Sequence, residues 1–187
     1  RLLREDIFEA RHDPNELIVE RDVAAKYGVS KVTASEALHR LCCEGHLTSH
    51  PRSGYTVTLL SPAEIDQIKR LRLVLESLVI DILCAEAKDE DIKGLYGAIQ
   101  VENNGDVKFA SVNSKFHLKM ARLTGDQYLL STLENLLGAL SRLETIISLN
   151  YRDKWSEWHE HHRRILDAVL ARNAEEAKKR LRDDLDQ

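Results

Sequence analysis

No stretch of the 187 residues approaches the roughly 18 consecutive apolar residues that a membrane-spanning helix needs. The opening residues 1–13, RLLREDIFEARHD, carry too much charge for the apolar core of a secretion signal. Cysteine is scarce. Cys42, Cys43 and Cys84 show no C-x-x-C spacing, so neither a thiolate zinc site nor a disulfide framework is signalled, and Cys42 and Cys43 read as small helix-packing residues. These absences predict a cytoplasmic protein with no membrane partner. An H-E-x-x-H pair and a nucleophile motif are also missing, which argues against a hydrolytic enzyme. There is no excess of positive charge: the net charge is -4, giving no global attraction to nucleic acid. Any basic surface must be local. Residues 26–60 carry Lys26, Lys31, Arg40 and Arg52 against Glu36 and Glu44.

Proline is confined as well, to Pro14, Pro51 and Pro62. Every strong β signal lies before residue 60, and beyond it the pattern is helical almost throughout. Ser61-Pro62-Ala63-Glu64 has the grammar of a helix start: a capping hydroxyl, proline at the first helical position and glutamate three residues after the cap. The expected architecture is mainly α with two domains, residues 1–60 and 61–187.

In the first domain Leu3, Ile7 and Phe8 share one face of a short helix. A second helix is expected over Glu20 to Tyr27, with Val23, Ala24 and Tyr27 on one face and Gly28 supplying the positive φ that ends it. Ser30 caps a third, on which Ala34, Ala37, Leu38, Leu41 and Cys42 recur at helical spacing. His46–Ser49 and Tyr55–Leu59 read as strands joined by the turn residues Pro51-Arg52-Ser53-Gly54. Helix, glycine turn, helix and hairpin make a winged helix-turn-helix, whose partner is double-stranded DNA; the alternative is a small mixed domain with no such role. On the DNA reading, Ser30, Lys31, Thr33 and Ser35 at the start of the recognition helix donate to base edges or phosphates. Arg52, next to Gly54 in the wing, reaches a groove or the backbone. Lys26 and Arg40 fit solvated surface charges as well as phosphate ligands.

The second domain predicts an all-α bundle of six to seven helices, with segments over 62–86, 89–100, 106–123, 126–149, 153–171 and 173–186. Asn173, with Glu176 three residues on, resembles a capping box. Leu71, Val74, Leu75, Leu78 and Ile82 form one apolar stripe; Leu129, Leu133, Leu136, Leu137, Leu140 and Leu143 form another. Together they supply a core and a homodimer interface. Asn113 and His117, four residues apart, project from one helix face. His162 and Asp184 lie on the last two helices, which a short connection places side by side.

The run Glu20-Arg21-Asp22-Val23-Ala24-Ala25-Lys26-Tyr27-Gly28-Val29-Ser30-Lys31, followed by Glu36-Ala37-Leu38-His39-Arg40-Leu41 and by Pro51-Arg52-Ser53-Gly54-Tyr55-Thr56-Val57, resembles the GntR family of bacterial regulators. Leu71-Arg72-x-x-Leu75-Glu76, Asn113-x-x-x-His117 and His162-x-x-Ile165-Leu166-Asp167-Ala168 make the second half similar to the FadR-type ligand-binding (FCD) domain. The resemblance spans essentially the whole chain. It implies a dimeric DNA-binding repressor whose hold on its operator is controlled by a small organic acid. The opposed readings are a helical-bundle metalloenzyme and a protein-interaction module with a vestigial winged helix.

The resemblance also implies a divalent metal held by four positions that usually read Asp, His, His, His. Here they are Asn113, His117, His162 and Asp184, so the acid has moved from the first position to the last. This mixed nitrogen and oxygen set suits Zn²⁺, Ni²⁺ or Mn²⁺; the alternative is a group of hydrogen-bonded core polar residues. Arg72 stands where members of the family carry an arginine facing the ligand cavity, which implies a carboxylate-bearing effector, against an ordinary Arg–Glu pair on the helix surface. In the recognition helix, Lys31 and Ser35 replace two arginines of the usual pattern. Lysine lacks the fork that grips guanine and serine lacks the charge, so a typical operator sequence does not transfer.

Overall fold

A computed structural model describes residues 2–13, 15–99, 109–150 and 155–186. The chain divides into two compact units, Arg1–Ser61 and Pro62–Gln187. In the first unit, α1 (Leu2–Phe8) buries Leu3 and Ile7, one turn apart. Between α2 (Glu20–Tyr27) and α3 (Lys31–Cys43), Gly28 adopts φ 65°, a left-handed backbone that closes its N–H onto the Ala24 carbonyl. Ser30 caps α3 by accepting from the Thr33 N–H at 3.1 Å. Leu3, Ile7, Ile18, Val23, Ala34, Leu38, Leu41, Leu47 and Val57 then close one core. Cys42 packs part-buried against it whereas Cys43 is exposed, so only the first is a packing residue.

Asp6 ties α1 to α2. It accepts from Lys26 Nζ at 2.7 Å, Tyr27 Oη at 2.6 Å and Arg11 Nη1 at 3.0 Å. Burial pushes its carboxyl up, but the bonds from Lys26 and Tyr27 outweigh that and hold it below the usual carboxylate range. Lys26 is thus a strut between helices.

Strands β1 (Leu47–His50) and β2 (Gly54–Val57) pair antiparallel, with Leu47 opposite Val57 and His50 opposite Gly54. They are displaced slightly from the expected 46–49 and 55–59 because the turn closes between the His50 carbonyl and the Ser53 N–H at 3.0 Å. Pro51 and Arg52 occupy its two central positions, Arg52 at φ 64°, a left-handed conformation that favours glycine or asparagine. Ile18 pairs on the other edge of β2, exchanging two hydrogen bonds with Tyr55 at 2.7 and 2.9 Å.

The second unit contains α4 (Pro62–Glu86), α5 (Asp89–Gly94), α6 (Tyr96–Ile99), α7 (Phe109–Leu123), α8 (Gln127–Asn150), α9 (Trp155–Leu170) and α10 (Ala174–Leu185). The single helix expected over 89–100 is broken at Leu95, which is drawn into the core between Gly94 and Gly97, both poor helix formers. The expected residues 100, 106–108 and 153–154 lie outside the described residues. Asp126 accepts from the Tyr128 and Leu129 N–H groups to start α8, and Asn173 accepts from the Glu176 N–H to start α10. Val79, Ile80 and Leu83 of α4 pack with Phe116, Leu133, Leu137, Ile165, Leu166 and Leu181 in the core. Leu71, Val74 and Leu78 point outward, 53, 67 and 47% exposed. Among the described residues no helix is long and apolar enough to cross a membrane.

Candidate functional site

The first unit presents a groove of about 550 Å³ lined by Glu20, Arg21, Lys31, His50, Arg52 and Gly54, among others. It brings the start of α3 next to the wing, as a helix-turn-helix surface requires. The Lys31 side chain is 73% exposed, its Nζ 3.6 Å from Glu20 Oε2, an exchangeable surface pair of small energetic weight. Ser30 and Thr33 are exposed, their hydroxyls 2.9 Å apart. Ser35 is half-buried and donates to Glu20 Oε1 at 2.7 Å, so its hydroxyl is engaged in holding α3 to α2. Gly54 has a steric reason for lacking a side chain: at φ 138° a Cβ would stand 2.7 Å from the Ile18 carbonyl oxygen. Its contribution to a DNA surface is therefore backbone only.

Two features of this surface escape sequence reasoning. Val29 and Val32 flank Lys31 at 40 and 67% exposure, and exposed methyl groups there suit the C5-methyl of thymine. An apolar residue gives no nucleic-acid signal until its exposure is known. Arg21, paired with Asp22 at 3.1 Å, joins the groove wall only once α2 and the wing are assembled.

In the second unit, Asn113 and His117 come from α7, His162 from α9 and Asp184 from α10. Their ligand atoms converge. His162 Nε2 is 3.0 Å from Asn113 Oδ1 and 3.5 Å from Asp184 Oδ1, and His117 Nε2 is 3.4 Å from Asp184 Oδ2. One ligand atom from each of His117, His162 and Asp184 lies within 4.8 Å of the others. Donors bound to one ion at about 2.1 Å stand about 3 to 3.5 Å apart, so the spacing and chemistry of this set fit a divalent cation. Phe116 fixes the ring planes, stacking on His162 at 4.2 Å and meeting His117 edge-on at 5.1 Å.

A second tier of charge surrounds these four. Glu76 of α4 places Oε2 2.5 Å from His117 Nδ1, the carboxylate–imidazole arrangement that leaves Nε2 facing a metal position. Arg72, one turn earlier, donates from Nε to Glu76 Oε1 at 2.8 Å, and its Nη1 is 3.9 Å from Glu144 Oε1. The Arg–Glu pair expected on the helix surface therefore exists, but it is buried beside the quartet, with Arg72 4% and Glu76 1% exposed. Arg72 Nη2 is buried without a hydrogen-bond partner among the described residues.

The electrostatics follow from this packing. Burial works against charge on His117, yet Glu76 and Asp184 on either side push it up to about 9. Burial drives His162 down to about 3, only partly opposed by Asp184, so this ring is neutral. Glu76 is held at about 2 against burial, by Arg72 and His117, and Asp184 at about 2, by His162 and His117. Burial pushes Glu144 up, with Arg72 and His117 pulling against it. Glu76 was legible in the sequence, four residues after Arg72 on the same face. Glu144, 31 residues from its partner Asn113, had no such signal.

Two family models match the chain. Residues 67–187 match the FCD domain, and residues 1–57 match the family of bacterial regulatory proteins called the gntR family. The HTH-type transcriptional regulator YdhC of Bacillus subtilis is 29% identical over 182 residues, covering 94% of this chain and 81% of its own. The gluconate operon transcriptional repressor of Bacillus licheniformis is 28% identical over 170 residues, covering 88% and 68%. Among solved structures, McbR/YncC of E. coli shares the fold with a TM-score of 0.83 at 19% identity, covering 99% of this chain and 90% of that one. The relatives are named as transcriptional regulators, which sets aside the metalloenzyme reading. The chain belongs to the GntR family of bacterial transcriptional regulators and carries an FCD domain as its second half.

Proposed function

We propose that the chain is a homodimeric, cytoplasmic repressor whose hold on operator DNA is set by a small carboxylate-bearing effector bound at a divalent metal, Zn²⁺, Ni²⁺ or Mn²⁺, in the helical unit. The observation that carries the reading is the convergence of Asn113, His117, His162 and Asp184 beside the buried guanidinium of Arg72. A bound ion would act as a Lewis acid toward the oxygens of an effector. The chain's own residues do the rest. Asn113, His117, His162 and Asp184 would hold the cation, Glu76 orients the His117 ring, and Arg72 would offer Nη2 to an anionic oxygen. These groups come from α4, α7, α9 and α10, so occupancy of the centre bears on how those helices pack.

The outward stripe of Leu71, Val74 and Leu78 supports pairing of two copies through α4, because an apolar helix face left in water is costly and a two-fold dimer matches two operator half-sites. On the DNA side, Lys31 and Arg52 supply cations, and Ser30 and Thr33 supply exposed hydroxyls. Ser35, tied to Glu20, acts through the position of α3.

The test is a gel shift with DNA from upstream of the protein's own gene, repeated with each of the three ions and then with gluconate. The name of the Bacillus licheniformis relative makes gluconate, a hydroxylated carboxylate, a reasonable first probe. A sequence-specific complex that gluconate alters only in metal-loaded protein is expected. The absence of any specific complex at low salt would overturn the DNA reading.

A further inference from the structure

Asn113 offers a neutral ligand atom, and nothing in an amide itself decides whether its oxygen or its nitrogen turns inward. Glu144 makes that choice. Its Oε1 accepts from Asn113 Nδ2 at 2.7 Å, and its Oε2 accepts from Ser114 Oγ at 3.1 Å. A carboxylate only accepts, so holding Nδ2 toward α8 sends Asn113 Oδ1 the other way, to 3.0 Å from His162 Nε2. Glu144 is steadied in turn by Arg72, whose Nη1 is 3.9 Å away and whose Nε is bonded to Glu76.

Building on the metal reading above, we infer that Glu144 is a positioning residue of the centre: acting through Asn113, it presents an amide oxygen to a divalent cation and supplies the negative charge that Asn113 lacks. The Asn113–Glu144 pair together does what one acidic ligand does alone. The consequence runs against simple charge counting. Asn113→Asp adds an anionic ligand and by itself should tighten cation binding. In this site it would set a carboxylate oxygen where Nδ2 now stands, 2.7 Å from Glu144 Oε1 with no donor between them. Glu76 and Asp184 already place two further buried carboxylates around the same centre. The variant therefore loses the geometry that orients the ligand and gains a repulsion.

A double-mutant cycle on the full chain tests this, reading the dissociation constant for Zn²⁺ alone by competition with a chelator, and the visible spectrum of bound Ni²⁺ as a report on coordination. Glu144→Gln and Asn113→Asp should each weaken Zn²⁺ binding by about tenfold or more, and the double variant should return to within about threefold of the original with its Ni²⁺ spectrum restored. The rescue is expected because a glutamine Nε2 can donate to the new carboxylate. Where Asn113→Asp alone does not fold, recovery of folding and Zn²⁺ binding on adding Glu144→Gln supports the inference just as well, and no recovery overturns it. Tighter Zn²⁺ binding by Asn113→Asp alone would overturn it while leaving the metal reading intact. A wild-type chain that binds none of Zn²⁺, Ni²⁺ and Mn²⁺ would overturn both.

Discussion

On α8, Leu129, Leu133, Leu137 and Leu140 are buried. On α4 an apolar stripe of the same kind, Leu71, Val74 and Leu78, faces solvent, and the inward face carries Arg72 and Glu76 beside Val79, Ile80 and Leu83. Helical periodicity says which residues share a face. It does not say which of two faces turns inward, and α4 has two candidates. Burying a guanidinium and a carboxylate costs several kcal/mol per ion in lost hydration, which their mutual attraction only partly returns, so the pair is weak as a stability device. It makes sense as the wall of a site. The apolar face displaced by that arrangement is left exposed, and the dimer proposed above would cover it with a second copy of α4. The leucine stripe of α8 thus serves the core, whereas α4 buries a charged pair and leaves its apolar stripe exposed.

The largest effect should come from breaking the α8 side. Leu133→Ala, at a fully buried position, should lower the unfolding free energy by about 2–5 kcal/mol in urea titration. Val74→Glu on α4 should do the reverse: the circular dichroism spectrum stays unchanged while light scattering reports half the mass. A variant that still runs as a dimer would mean that α4 is not the pairing surface.

Asp6 sharpens the contrast between buried charges. It is matched by three donors and belongs to a packing strut, whereas Arg72 Nη2 is buried with no hydrogen-bond partner among the described residues. Asp6→Ala should destabilise the first unit by about 1–3 kcal/mol without touching metal binding. Its folded pKa lies below the unfolded one, so its contribution is present above the ordinary carboxylate range and is lost as pH falls through the lowered folded value. Low-pH melts should therefore show wild type and Asp6→Ala converging. The smallest effects concern DNA. Lys31→Ala and Arg52→Ala should each reduce the salt dependence of operator binding by about one unit of slope, as loss of one phosphate contact does. Unchanged slopes in both variants would move the DNA surface away from the groove.

The elements legible in the sequence are those fixed by neighbours a few residues apart. Ser30 and Asn173 declare their caps, Gly28 its left-handed turn, and Pro51-Arg52-Ser53-Gly54 its hairpin. Residue type and helical spacing place Asn113 with His117, and the family resemblance supplies the rest of the quartet. What was not legible depends on distance along the chain or on exposure. Glu144 meets Asn113 only through the packing of α7 on α8. Ser35 looks free to reach DNA until Glu20 is seen to hold it. Gly54 looks like a turn residue, but the close approach of Ile18 is what requires it.

Elemental analysis and thermal melting of the full chain purified without chelator will show whether a divalent cation occupies the inward polar face of the second unit. About one divalent ion per chain is expected, with a melting temperature that rises by roughly 5 °C on saturation with Zn²⁺, Ni²⁺ or Mn²⁺. His117→Ala and His162→Ala should lose both the ion and the rise. Protein free of metal, with no melting shift from any of the three ions, would mean that no cation is held there and leave Asn113, His117, His162 and Asp184 as a part-buried hydrogen-bonded cluster.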